Sequence, residues 1–332
     1  MERAIVHADL KKEEIQPQKM LNKYIALLEK DIKNMLPMKS LDNVSGTTIF
    51  EHDVLESFTK MGMIYNVGSS FGNIYLSPRP SMDTLKLFYQ NSTAREYWLT
   101  KLWVKTSNAR QKKIILPTLE WARGFISEYI GLGQMQLAEF IPNHWGYLKV
   151  ARDLFKVSEY RLVEPLFNLP IMDESIPAAN VLDQPANNSL DVAFLFEALD
   201  RSPSPLILLN DVKNVIKPGG LCFITCLLSS GFEIQIMGKD SGVFVPPERM
   251  NIFSFEGMNE LISEVGGFDI IEYSTPGVLD VANVVKSHNI TNSRFFHYIF
   301  KQRNDKEIFN TFQDFLQINR LGTFGRLVLR KK

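Results

Sequence analysis

The 332 residues hold 37 Lys and Arg against 37 Asp and Glu, so the formal net charge is +0 and no global field favours nucleic acid or an anionic membrane. A hydrophobic content of 45% is enough for a sizeable core, in one large domain or two modest ones. No apolar run reaches membrane-spanning length and MERAIVHADLKKEE lacks the core of a secretory signal, so a cytoplasmic protein without a membrane span is expected. Cys222 and Cys226 sit four residues apart in an extended-looking segment, too far to bridge, and read as buried thiols.

In chain order, Met20, Tyr24, Leu27, Leu28 and Ile32 recur at helical spacing and predict an amphipathic packing helix over 17–36. The 41–80 stretch mixes Gly, Asn and Ser with short apolar runs at 62–65 and 73–76, which predict small antiparallel strands. Leu85, Phe88, Tyr89, Tyr97 and Trp98 fall on two predicted short helices separated near Asn91 and Ser92. Such rings join domains or cover a ligand.

The apolar run Val192–Phe196 predicts a parallel strand buried on both faces. Ser204 and Pro205 then predict a helix start, Leu209, Val212 and Ile216 its apolar face, and Pro218-Gly219-Gly220 its end. Leu221–Leu228 is the next strand, completing a βαβ unit whose crossover should be right-handed. Towards the C-terminus, Phe295, Phe296, Tyr298, Ile299 and Phe300 precede a predicted helix over 305–319, and 287–321 reads as an insertion that caps an acceptor or forms a homodimer contact.

The Lys-Pro-Gly-Gly turn between two apolar strands, the later PPERMNIFSFEGMNELISEVGGFDIIEYSTPG and the upstream IYLSPRPSMDTLKLFYQNSTAREYW resemble class I S-adenosylmethionine-dependent methyltransferases of bacterial sugar and polysaccharide pathways. The resemblance covers most of the chain after Phe58. It implies an α/β, Rossmann-like seven-stranded sheet with helices on both faces, with Phe324–Lys331 as the last strand. A small N-terminal α+β subdomain with lid helices would span 1–100, and the methyltransferase-like domain 101–332. Relatives carry paired cysteines for zinc where this chain has Lys60-Met61-Gly62-Met63, so no metal site is expected.

The resemblance further implies S-adenosylmethionine as cofactor, with Gln136–Leu148 as first strand and loop. Glu139 takes the family's acidic position, but Phe140 to Trp145 replace its glycine-rich loop. Either the loop binds the cofactor through Asn143, His144 and Gly146, or the pocket has decayed. Glu164, ending the second strand, stands where relatives hold the ribose hydroxyls, and Asp183 near where they contact the adenine amine. Phe196 ends the fourth strand at the cofactor crevice. Tyr89 and Tyr97 are candidate lid residues, since a ring face suits a sulfonium cation.

Asp200-Arg201 replaces the family's usual Glu-His pair, and Arg249 stands where His is common. A guanidinium stays protonated and cannot act as base, so both arginines are candidates for binding an anionic acceptor and no catalytic base is assigned. The expected function is methyl transfer to a sugar or polysaccharide precursor, with no nucleic-acid partner. The alternative is a catalytically inactive methyltransferase-like binding or partner subunit. A Rossmann dehydrogenase is disfavoured because no Gly-x-Gly-x-x-Gly follows a first strand.

Overall fold

The computed structural model describes residues 10–37, 41–42, 53–155, 157, 160–166, 180–182, 184–286 and 293–332. Its strands are β1 (Val54–Lys60), β2 (Met63–Gly68), β3 (Ile74–Leu76), β4 (Leu137–Phe140), β5 (Arg161–Val163), β6 (Asn180–Leu182), β7 (Leu190–Phe196), β8 (Ile216–Leu227), β9 (Asn251–Ile252), β10 (Phe268–Ser274) and β11 (Phe324–Lys331). Seven of them form one sheet in the order β6-β5-β4-β7-β8-β11-β10. Neighbours from β6 to β8 are parallel, and β11 runs antiparallel to both β8 and β10. This is the Rossmann-like seven-stranded methyltransferase sheet that the resemblance implies.

The apolar strand runs form two cores. Along β7, Val192, Phe194 and Phe196 face the helices Leu116–Tyr129 and Gly146–Phe155, while Ala193 and Leu195 face the helices Pro205–Val215 and Phe255–Val265. Side chains alternate between faces along a strand, so continuous hydrophobicity is what a sheet covered on both sides requires. Cys222 and Cys226 are free and buried in β8. No helix among the described residues is long and apolar enough to cross a membrane.

The chain leaves β4 towards β5 and β6 at one edge, then returns to β7 and continues to β8 at the other. Its winding therefore reverses between β4 and β7. The carboxyl ends of these two strands form the crevice where open α/β sheets receive ligands.

Three local expectations are corrected. Ser204 makes no side-chain cap, although Pro205 does open the helix; Ser204's own N–H is turned onto the Ser202 hydroxyl. The helix ends at Val215, before Pro218, because Ile216 already pairs with Leu190. Gly219 and Gly220 then lie within a bulged β8, where a Cβ on Gly220 would stand 2.9 Å from the Asp191 carbonyl oxygen. Finally, the helix from Met82 ends at Asn91, but its successor is not short. From Thr93 the backbone stays helical to Tyr129, with wide π-type turns at Trp98–Trp103 and Gln111–Ile115.

The predicted N-terminal helix runs from Gln18 to Met35 and buries Tyr24, Leu28 and Ile32. The hairpin strands form a second, antiparallel sheet, β1-β2-β3-β9, closed by a strand from late in the sequence. Buried Arg79 clamps that junction, donating to Leu76 O at 3.0 Å, Asn251 Oδ1 at 2.7 Å and Pro203 O at 3.1 Å. The Tyr65 hydroxyl adds a bond to Arg249 O at 2.6 Å, so Glu248 and Arg249 are fixed above the strand ends. In the C-terminal segment, Asp305 caps the helix Lys306–Ile318 with a side-chain bond to Glu307 N–H.

Candidate functional site at the strand ends

Each of the three neighbouring strands β4, β5 and β7 is followed by a residue with left-handed backbone: Ile141 (φ 48°), Glu164 (φ 51°) and Glu197 (φ 55°). Such conformations cost L-residues roughly 1–3 kcal/mol and persist where the surroundings fix them. At Ile141 the N–H donates to Val163 O at 2.8 Å, the carbonyl accepts from Arg201 Nη2 at 3.4 Å, and the side chain is buried. A left-handed turn of the kind that glycine makes without steric cost is filled here by an isoleucine.

Above these ends lies a cleft of ≈ 2440 Å³. That exceeds the roughly 300–1,000 Å³ of a single small-ligand pocket because the cleft runs on from the strand ends to Lys12 and Gln18 of the N-terminal segment and to Pro276–Asp280. Asn143, His144, Tyr147, Phe196 and Glu197 line it on the sheet side, and Arg95, Trp98, Trp103 and Arg110 on the long-helix side.

The crevice is dense in charge. Arg201, only 1% exposed, donates from Nη2 to Phe196 O at 2.9 Å as well as to Ile141 O, joining the ends of β7 and β4. Arg249 pairs with Glu197 and Asp200, each at 2.9 Å. Glu248 faces Arg95 at 3.5 Å and accepts from Tyr24 and Asn143, both at 3.3 Å. Burial opposes ionisation of Glu197, but Arg249 and Arg201 override it and hold this carboxyl at about 2. Burial likewise opposes ionisation of Glu248, which Arg95, Arg201 and Arg249 bring below the usual carboxylate range.

Two other acids go the opposite way. Burial pushes Glu139 up to about 8, although Tyr160 donates its hydroxyl to Glu139 Oε2 at 2.9 Å. Burial also takes Asp200 to about 7 despite Arg249. His144 is held at about 3, by burial first and then by Arg95, Arg110 and Arg201. Its Nδ1 accepts from Gly146 N–H at 3.0 Å, which assigns the ring proton to Nε2. A neutral imidazole with that low a pKa is a donor at Nε2, not a base.

The structure places the sequence-predicted residues unequally. Glu139, Asn143, His144, Phe196 and Arg249 reach the cleft wall. Gly146 opens a helix, but the space beside it belongs to Trp103, whose Cη2 would stand 2.4 Å from an added Cβ. Glu164, 35% exposed at the side chain, pairs with Lys86 at 3.2 Å and is not among the cleft-lining residues. Arg201 gives Nη2 to backbone carbonyls and faces the Glu197 carboxylate through Nη1 at 3.5 Å. Tyr89 is buried beside Arg95, with the guanidinium carbon 5.2 Å from its ring, whereas Tyr97 faces Lys23 of the N-terminal helix at 5.0 Å and is not among the cleft-lining residues. Asp183 lies outside the described residues.

Sequence reasoning missed Arg95, Arg110, Trp103, Glu197 and Glu248. Arg95 and Trp98 stand three apart and so share a helix face, a readable signal. Trp103 and Arg110 are aimed by the wide turns beside them, features that recur at functional sites and leave no composition mark.

No family model matches the chain, and no curated protein matches it. Solved structures similar to it include a putative sarcosine dimethylglycine methyltransferase from Galdieria sulphuraria (18% identity, 65% of this chain and 86% of that one, TM-score 0.41). A second is Haemonchus contortus phosphoethanolamine N-methyltransferase 2 in complex with phosphomonomethylethanolamine and S-adenosylhomocysteine (12%, 83% and 71%, TM-score 0.45). A third is the putative methyltransferase bound to the Haloferax volcanii Trm112 activator (13%, 70% and 96%, TM-score 0.44). These are likenesses of fold. The strand order of the chain itself carries the assignment to that fold.

An adenosyl cofactor, implied by this fold, finds matching groups at two points. The Glu164 carboxylate at the end of β5 can accept from two neighbouring hydroxyls once its single, half-exposed ion pair opens. Glu197 at the end of β7 could face an ammonium or sulfonium only by giving up its pair with Arg249 at 2.9 Å, since Arg249 and Arg201 are what hold it ionised. Ile141 and Arg201 narrow the crevice between these points.

Proposed function

We propose that the chain binds S-adenosylmethionine over the ends of β4, β5 and β7 and transfers its methyl group to a small polar acceptor in the adjoining cleft. The observation that carries this reading is the set of three left-handed residues ending three adjacent parallel strands at the point where the winding reverses, beside a broad cleft. Glu164 would accept from the ribose, and Glu197 would face the positive end of the cofactor. When bound, the cofactor supplies an activated methyl group for in-line displacement. The chain contributes orientation and exclusion of water, because His144 is held neutral and Glu197 strongly ionised, so neither is a base matched to neutral pH. This favours acceptors whose proton leaves without help. A sugar or polysaccharide precursor is the acceptor class that the sequence resemblance brings.

A second reading, a noncatalytic binding or partner subunit, is favoured by one observation: the Arg201 guanidinium already joins Phe196 O and Ile141 O where the crevice would open. Titration calorimetry separates the two. Methyl transfer expects binding of both S-adenosylmethionine and S-adenosylhomocysteine in the micromolar range, and a loss on Glu164→Ala of roughly 1–3 kcal/mol, the scale of unpaired polar partners. No heat with either ligand decides for the noncatalytic reading.

A further inference from the structure

We propose that the long-helix wall of the cleft is an oxyanion site, in which Arg95, Arg110 and His144, gathered around the Trp98 indole, receive a phosphate or carboxylate group. The inference rests on the methyl-transfer reading only for the choice between two sources of that anion. They are the charged group of an acceptor and the amino-acid carboxylate of the cofactor.

Geometry carries it. The Arg95 guanidinium carbon lies 4.6 Å from the centre of the Trp98 ring and that of Arg110 5.6 Å, while the His144 ring stacks 5.8 Å from the same indole and 4.5 Å from Trp103. Arg95 is 3% exposed, yet among the described residues its Nε and Nη2 have no hydrogen-bond partner, and Nη1 alone meets a carboxylate, that of Glu248 at 3.5 Å. Buried donors left unmade are costly, and a planar fork of N–H groups is the natural partner of an oxyanion. Arg110 is anchored through Nε to Thr106 Oγ1 at 3.0 Å and through Nη2 to Ile15 O at 2.6 Å, which fixes its charge at the wall. His144 adds a neutral N–H donor, since Nδ1 is taken by Gly146.

Charge balance agrees. Arg95, Arg110, Arg201 and Arg249 surround the crevice, whereas Glu197 and Glu248 are the acids there held below their ordinary range. Glu139 and Asp200 are both pushed up by burial. An incoming anion would therefore relieve a local excess of guanidinium.

The test titrates inorganic phosphate, pyrophosphate, S-adenosylhomocysteine and 5′-methylthioadenosine, which lacks the amino-acid carboxylate, followed by calorimetry and by the emission of the tryptophans. Expected is binding of at least one oxyanion-bearing probe that weakens tenfold or more in Arg95→Gln and less in Arg95→Lys. Arg110→Gln, at a half-buried position, should weaken it as well and serves if Arg95→Gln does not fold. An acceptor anion gives Arg95-dependent phosphate or pyrophosphate binding, with the two nucleosides alike. A cofactor carboxylate gives a tenfold preference for S-adenosylhomocysteine that vanishes in the variant. Arg95-dependent phosphate binding without any nucleoside binding would keep the oxyanion site and remove the methyl-transfer reading. Nucleoside binding indifferent to both the carboxylate and the variants, with no phosphate binding, would overturn the oxyanion site and leave methyl transfer standing. No binding of any probe overturns both.

Discussion

Arg201 donates to the carbonyl oxygen of Phe196 at 2.9 Å from a side chain that is almost wholly buried, and so caps the end of β7 from within. Removing it would strand the Phe196 and Ile141 carbonyls and unbalance Glu197. Arg201→Met should cost about 3–5 kcal/mol, the scale of breaking a buried ionic network at one partner. Denaturant unfolding checks this, and a change below about 1 kcal/mol, within what an ordinary surface substitution produces, would mean that the guanidinium does not hold the strand ends together.

The sheet was legible because its strands are apolar on both faces and punctuated by polar breaks. Val192–Phe196 and Leu221–Leu228 could hardly be placed elsewhere, whereas Phe324–Lys331, which carries Arg326 and Arg330, was placed by the resemblance. The site was legible only in part. Glu139, Asn143, His144 and Phe196 follow from where β4 and β7 end, a local property. Arg95, Arg110 and Glu248 come from segments distant in sequence, and they meet only because the 93–129 helix stays unbroken and β9 pairs with β3. The separation near Asn91 and Ser92 was legible, but the length of the second helix was not, because helical backbone continues through the wide turns. Ser204 has the cap residue type, but its N–H is engaged by Ser202 and its side chain makes no cap bond.

Ile141 offers a comparison in which the lost side chain cancels. Both Ile141→Gly and Ile141→Ala empty the same buried space, but only glycine takes a φ of 48° without steric cost. Ile141→Gly should therefore be the more stable of the two by about 1 kcal/mol, the reverse of their order in an ordinary helix or strand. Thermal or denaturant unfolding of the pair decides, and an alanine variant as stable as the glycine one would remove the strain.

Gly146 is tied to Trp103. A Cβ there would stand 2.4 Å from Trp103 Cη2 and 2.8 Å from Ile115 Cδ1, and the indole, packed against His144 and Trp145, has little room to withdraw. Gly146→Ala should destabilise by about 1–3 kcal/mol through overpacking. Tryptophan emission would report the displaced ring, and unchanged stability and emission would refute the contact.

Lys86 and Glu164 form a half-exposed pair, so Lys86→Ala should change stability by no more than about 1 kcal/mol. If Glu164 holds the ribose, freeing it should leave nucleoside affinity equal or higher, in contrast to Glu164→Ala. A loss of affinity in Lys86→Ala comparable to that of Glu164→Ala would place the ligand on the lysine instead.

Glu139 makes stability depend on pH in a calculable direction. Burial raises its folded-state pKa to about 8, while the unfolded chain ionises near the ordinary value of 4.5. Between these limits the unfolded state loses its proton and the folded state keeps it, so this group's contribution falls as pH rises and levels off above the folded value. Glu139→Gln keeps an oxygen that can accept from the Tyr160 hydroxyl and cannot ionise. Relative to the parent chain it should be near neutral at about pH 4.5 and gain roughly 2–4 kcal/mol by about pH 8, following the linkage relation. Denaturant unfolding across that window measures the difference, and a gap that stays flat or shrinks with rising pH would show that Glu139 is ionised in the folded protein.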